Sequence, residues 1–195
     1  MADFFPEHDV YDEPFVGGGA FFFWKEPVET EVIGDTSDWI IGFYQKARMG
    51  ALRKCKGGFK ANRTTLAKVA KGKSACDILA RQAMGWGGIG AGKWLRQSTA
   101  GKTIYKKKLQ KLSQYEKRQR HAWLTTRSFD KTMKKFDGPS TWHLLDPPWP
   151  DAPVTEYYDG GLTVRPAEVA KVCRKMKGIV WVLYNDKPEV RKAFS

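Results

Sequence analysis

The sequence predicts an α/β fold in which a nucleotide-binding sheet is interrupted by a basic, mainly helical insertion. Three observations carry that expectation. The first 46 residues run in the order strand, glycine loop, helix, strand, acid, helix. An apolar strand and a helix return after residue 140, and the stretch between them is rich in lysine and broken by glycines.

"HDVYDEPF" has the apolar and β-favouring residues of a short strand that enters a loop, and "GGGAFFFWK" reads as that loop running into a helix. "TEVIGD" is a second strand ending at Asp35. "TSDWIIGFYQKARM" then spaces its apolar residues as a helix does, with Thr36 or Ser37 as the cap. That order opens a nucleotide-binding α/β unit. The aromatics at 21–24 are expected to pack the first helix on the sheet.

From residue 47 the composition changes to "RKCKGGFKANRTTLAKVAKGK", "GWGGIGAGKW" and "YKKKLQKLSQYEKRQR". Leu109, Leu112 and Tyr115 mark an amphipathic helix in the last run, whereas the glycine segment reads as loop. The α/β pattern resumes with "TWHLLDPPWP", a strand closed by a proline-stiffened turn, since proline fixes its own φ and pushes its predecessor toward extended backbone. A helix in "RPAEVAKVCRKMKG" and a buried-looking strand in "IVWVLYND" follow. The expected division is one domain from residues 1–46 and 123–195, split by an insertion at 47–122.

Charge follows the same boundaries. Residues 46–135 hold 25 Lys and Arg against Asp77, Glu116 and Asp130, a balance of +22, while the whole 195-residue chain carries +13. Local imbalance of that size calls for a polyanion, and nucleic acid is the expected partner. Cys55, Cys76 and Cys173 are odd in number and lack a CxxC, so neither a disulfide framework nor a zinc site is expected, and a reducing cytoplasm fits. No apolar stretch approaches the roughly 18 residues of a spanning helix, so no membrane partner is expected. His8, His121 and His143 are scattered and read as surface or packing residues, and no metal is expected.

Two stretches could carry chemistry. Glycines at 17, 18 and 19 let the backbone pass close to a ligand, although the string is neither GxGxxG nor a P-loop. Glu13 precedes it, and Asp35 ends the second strand, where a carboxylate binds ribose hydroxyls in such folds. Carboxylates also suit a ligand with positive charge. "LLDPPWP" sets one acceptor and one ring face at fixed separation on a stiff turn, which suits a flat base carrying an amino group.

"YDEPFVGGGAFFF", "EVIGD" with "TSDWIIGFYQ", "LLDPPW" and "GIVWVLYNDKPEVRKAF" together resemble the Dam-like, DPPY-type DNA adenine methyltransferases, in that family's order. "GWGGIGAGK" is similar to a glycine-rich stretch of some phage-like members. The resemblance implies a Rossmann-like methyltransferase sheet and transfer of a methyl group from S-adenosylmethionine to the exocyclic amine of a flipped adenine in double-stranded DNA. Site-specific methylation of the restriction-modification kind would follow, in the cytoplasm, or the host's cytoplasm for a phage-encoded chain.

Position by position, the resemblance implies that Glu13, Phe15, Gly17 and Gly19 lie against the cofactor. Asp35 would bind its ribose and Phe129 would sit beside its adenine. Asp146, Pro147, Pro148 and Trp149 would form the catalytic turn, with Trp149 where relatives carry Tyr or Phe. Ser128 stands where relatives often carry an acid. In the insertion, Lys93, Arg96, Lys106, Lys107 and Lys108 are expected on DNA, and Tyr157 and Tyr158 are expected near the flipped base. Relatives carry further elements at both ends, so a second chain completing the site is an expected partner. A noncatalytic DNA-binding remnant and an RNA adenine methyltransferase are the alternatives.

Overall fold

The computed structural model describes residues 4–55, 63–70, 72, 74–84, 107, 110, 112–150 and 164–195. The chain divides into two compact units. One comprises the described residues among Met1–Ile41, His121–Val154 and Gly161–Ser195, the other those among Gly42–Arg120.

The first unit is built on five parallel strands, β1 (Val10–Glu13), β2 (Thr30–Gly34), β3 (Trp123–Thr125), β4 (Thr141–Leu145) and β5 (Ile179–Val182). Their spatial order is β3-β2-β1-β4-β5, the α/β class expected and consistent with a Rossmann-like methyltransferase fold. β1 and β4 are central and buried along nearly their whole length, as parallel strands covered on both faces are. Tyr11 lies beside Trp142 and Asp12 beside His143, which fixes what each face of the sheet carries.

On the Tyr11 face, rings stack from strand to strand, with Tyr11–Trp142 at 5.1 Å and Trp142–Trp181 at 5.0 Å. Helix α1 (Ala20–Trp24) reaches this face through the Phe22 N–H, which donates to Glu13. Of its four aromatics Phe22 is buried, Phe21 and Phe23 are half-buried and Trp24 is 55% exposed, so the expected packing of these rings is uneven. Five helical residues turn only one side inward. Lys25 follows, its Nζ 4.6 Å from the Tyr11 ring centre and 2.7 Å from Glu31 Oε1 of β2.

On the other face, α6 (Phe129–Phe136) and α7 (Pro166–Cys173) bring Met133 and Val169 against Leu145. His143 is buried there. Its Nδ1 lies 2.8 Å from Asp12 Oδ2 and its Nε2 3.3 Å from Asp137 Oδ1, which corrects its reading as a plain surface or packing residue. The Asp137 carboxylate also accepts the N–H groups of Lys177 and Gly178, each at 3.0 Å, and so sets the start of β5. Burial raises the Asp137 carboxyl, but those two N–H groups and His143 outweigh it and hold the group below its usual range. β5 stands at the end of the strand order with Ile179 43% exposed, less buried than its apolar run suggested. Helix α8 (Pro188–Phe194) packs on α7, where Arg174 donates to the Ala193 carbonyl at 2.7 Å.

Helix α2 (Asp38–Arg48) follows β2, with Ser37 in the cap position, its carbonyl accepting the N–H of Ile41 at 3.3 Å. In the second unit a 3-10 turn (Ala51–Lys54) and helices α3 (Arg63–Ala70) and α4 (Ala75–Met84) bury Leu52, Val69, Ile78 and Leu79. Helix α5 (Leu112–Arg118) covers part of the expected amphipathic run, and its Glu116 carboxylate accepts from Arg53 at 2.8 Å. Cys55 and Cys76 form a disulfide, while Cys173 is a free thiol. This corrects the reading of the cysteines: the 3-10 turn and α4 bring together two residues whose spacing carries no motif. Among the described residues, no helix is long and apolar enough to cross a membrane, and no group of three or more His, Cys, Asp or Glu could hold a metal ion.

Candidate active site

In an open parallel sheet, a crevice forms at the carboxyl ends of the strands where the order of connection reverses. Here the chain proceeds from β1 outward to β2 and β3, then returns to the opposite side of β1 as β4. The reversal lies between β1 and β4. Glu13 is the last residue of β1, the glycine loop follows it, Asp146 follows β4, and Asp35 follows β2 one strand away.

The loop is shaped by backbone bonds. Val16 N–H donates to the Gly34 carbonyl at 2.8 Å, and Gly19 N–H to the Val16 carbonyl at 2.6 Å. Gly17 and Gly19 have φ of +44° and +66°, a region in which a Cβ is strained. A Cβ built at Gly17 or Gly18 would meet nothing within 4 Å, so the loop faces open space. Asp35 braces it: Oδ2 accepts from Gly17 N–H at 3.2 Å and Oδ1 from Ser37 N–H at 2.9 Å. Burial raises the Asp35 carboxyl against the pull of those two donors.

Glu13 is 3% exposed and accepts from the Tyr11 hydroxyl at 2.7 Å and from the Phe22 N–H. Burial pushes its carboxyl up to about 8, with Asp146 and Asp12 adding in the same direction. Asp146 is exposed at its outer side, yet partial desolvation raises its carboxyl too, against a hydrogen bond donated by the Trp149 indole. Pro147 beside it is buried, and the Trp149 ring is 44% exposed. Three carboxyls thus gather at one edge of the sheet, and among the described residues none has a Lys or Arg ion-pair partner. Such a set suits a ligand that brings its own positive charge.

Phe15 and Phe129 meet at 5.3 Å and pack together on the Met133, Leu145 and Val169 cluster. Residues 1–73 match the D12 class N6 adenine-specific DNA methyltransferase family. That match bears out the resemblance to the Dam-like adenine methyltransferases and takes in the glycine loop, Glu13 and Asp35. No curated protein gives a significant match to the chain.

The D12 reading therefore meets a site in which Glu13, Phe15, Gly17, Gly19, Asp35, Phe129 and the turn Asp146, Pro147, Pro148, Trp149 all belong to the first unit. Lys107 is exposed, whereas Lys93, Arg96, Lys106, Lys108, Tyr157 and Tyr158 lie outside the described residues. Sequence reading missed Tyr11 and Phe22, which among the described residues donate to Glu13. The first was legible, since a residue two before Glu13 on a strand shares its face.

Proposed function

We propose that the chain is an S-adenosylmethionine-dependent DNA adenine-N6 methyltransferase. The observation that carries the reading is the Asp146 turn, held at the carboxyl end of β4 beside the glycine loop of β1. The residues suit the cofactor: an open glycine loop for close approach, an acid at the second strand end for ribose hydroxyls, and the buried Glu13 carboxyl for a cation. When bound, S-adenosylmethionine supplies an electrophilic methyl group.

The chain's own residues would do the rest. Glu13, Phe15, Gly17, Gly19, Asp35 and Phe129 would hold the cofactor. The adenine amine is a poor nucleophile because its lone pair is delocalised into the ring. The Asp146 carboxylate and the Pro147 carbonyl would accept its two hydrogens and direct that lone pair outward. Pro148 would stiffen the turn, and the exposed Trp149 ring would stack on the base, offsetting part of the few kcal/mol that flipping costs. Residues 47–122 would form the DNA-recognition insertion, with Lys93, Arg96, Lys106, Lys107 and Lys108 on phosphates or bases and Tyr157 and Tyr158 near the flipped adenine.

Transfer of labelled methyl groups from S-adenosylmethionine to duplex DNA tests the reading, with matched RNA as the competing substrate. Asp146→Ala should abolish transfer and leave DNA binding largely intact. Unchanged turnover in that variant removes Asp146 from the mechanism, and DNA binding by the parent chain without any transfer overturns the enzyme reading.

A further inference from the structure

Glu13 ends β1 at the reversal between β1 and β4, just ahead of the glycine loop, and among the described residues no Lys or Arg pairs with it. On β1 itself it faces the Tyr11 hydroxyl at 2.7 Å and has Asp12 as neighbour, the latter paired with His143 of β4 at 2.8 Å. Helix α1 offers the Phe22 N–H. Lys25 beyond α1 sits over the Tyr11 ring, but its charge is matched by Glu31 of β2 at 2.7 Å. From the end of β4 comes another acid, Asp146. A fully ionised Glu13 would thus be a buried anion facing a second anion, with two neutral donors to hold it.

Resting on the S-adenosylmethionine reading, we infer that Glu13 is a charge-matching carboxyl, which holds a proton in the ligand-free protein and releases it when a cationic group is seated at the β1–β4 crevice. The cation then replaces the proton as the partner of the buried carboxylate. Binding that releases a proton strengthens as pH rises, because the same linkage that governs stability governs ligand affinity. With the ligand-free carboxyl at about 8, up to about nine-tenths of a proton should leave per ligand bound at pH 7, and none above about pH 9. A neutral ligand should release none.

Two measurements test this. Titration calorimetry in phosphate and in Tris at pH 7 counts released protons for S-adenosylmethionine, S-adenosylhomocysteine and adenosine. Release with the first alone assigns the sulfonium as the matched cation, and release with the first two assigns the α-ammonium. Binding of S-adenosylmethionine with no proton released overturns the inference, as does equal release with adenosine. Carbon-13 NMR of labelled glutamate in the ligand-free chain reads Glu13 directly, with Glu13→Gln assigning the resonance. A midpoint near 8 supports the inference, and one near the ordinary 4.5 overturns it even if the chain binds no cofactor. Absence of cofactor binding with a midpoint near 8 counts against the cofactor reading alone.

Discussion

Replacing Lys25 with Met should be among the most damaging single changes in the sheet-bearing unit. Lys25 and Glu31 are 1% and 7% exposed in their side chains and 2.7 Å apart, so neither charge is shared with water. Lys25 Nζ also donates to the Glu26 carbonyl at 2.6 Å and lies 4.6 Å from the Tyr11 ring centre. Lys25→Met keeps the aliphatic stem but leaves the Glu31 carboxylate buried without its cation. Breaking one side of a buried pair costs about 3–5 kcal/mol, most of it from the stranded charge. For a chain of this length, each kcal/mol moves the midpoint by about 2–4 °C, so thermal unfolding of this unit should drop by roughly 6–20 °C. The double variant Lys25→Met, Glu31→Leu removes both charges and should recover most of that loss. Urea and thermal unfolding followed by near-ultraviolet circular dichroism report both changes through the Tyr11 and Trp142 rings. A single variant that loses less than about 1 kcal/mol, or a double variant no better than the single, refutes the reasoning.

Further outcomes follow from other groups. The Glu13 carboxyl is raised from 4.5 to about 8, so its contribution is fully present below pH 4.5 and is lost as pH climbs to 8, an effect of about 5 kcal/mol. Urea midpoints at pH 5, 7 and 9 should show that slope, and Glu13→Gln should remove it. Opening the Cys55–Cys76 disulfide, which closes 21 residues of chain, should destabilise the second unit by roughly 3 kcal/mol, measured as the shift in urea midpoint with dithiothreitol or in Cys55→Ser, Cys76→Ser. Trp149→Phe keeps a ring but deletes the indole donor that favours ionised Asp146. The acid limb of the transfer rate against pH should therefore move upward, and an unmoved limb would show that the indole bond does not tune Asp146.

Sequence patterns exposed the parts of the fold that local physics determines. β1, β2 and β4 are short runs bounded by glycine and proline, and α2 repeats its apolar residues at helical spacing, so each was legible before the structure. β3 was not. It has three residues, with Trp123 58% exposed, and is a strand because it pairs with Val32, Ile33 and Gly34 rather than because of its own pattern. The site's acids were legible for a similar reason: Glu13 and Asp35 flank a glycine loop, and Asp146 precedes two prolines. What those acids touch was not legible. Asp35 accepts from Gly17, 18 residues back, and Cys55 meets Cys76, contacts set by chain reversals that no spacing rule encodes, whereas the Asp35 bond from Ser37 is a local two-residue turn.

The pairing of β1 with β4 has a consequence for how the chain is made. Asp12 and His143 are 131 residues apart, and the same span separates Val10 from its register partner Thr141. Closing so long a loop is a minor thermodynamic burden, since each doubling of length adds only about 0.6 kcal/mol, but contacts of this separation form late and slow folding. During synthesis, β1 emerges first and stays without its central neighbour until residues 141–145 leave the ribosome. The stretch carrying +22 emerges in between. A nascent chain thus presents its most basic segment to cellular polyanions before the sheet holding the candidate site can close. Nucleic acid bound at that stage would meet the polypeptide while β1, with the buried acids Asp12 and Glu13, is still open to water.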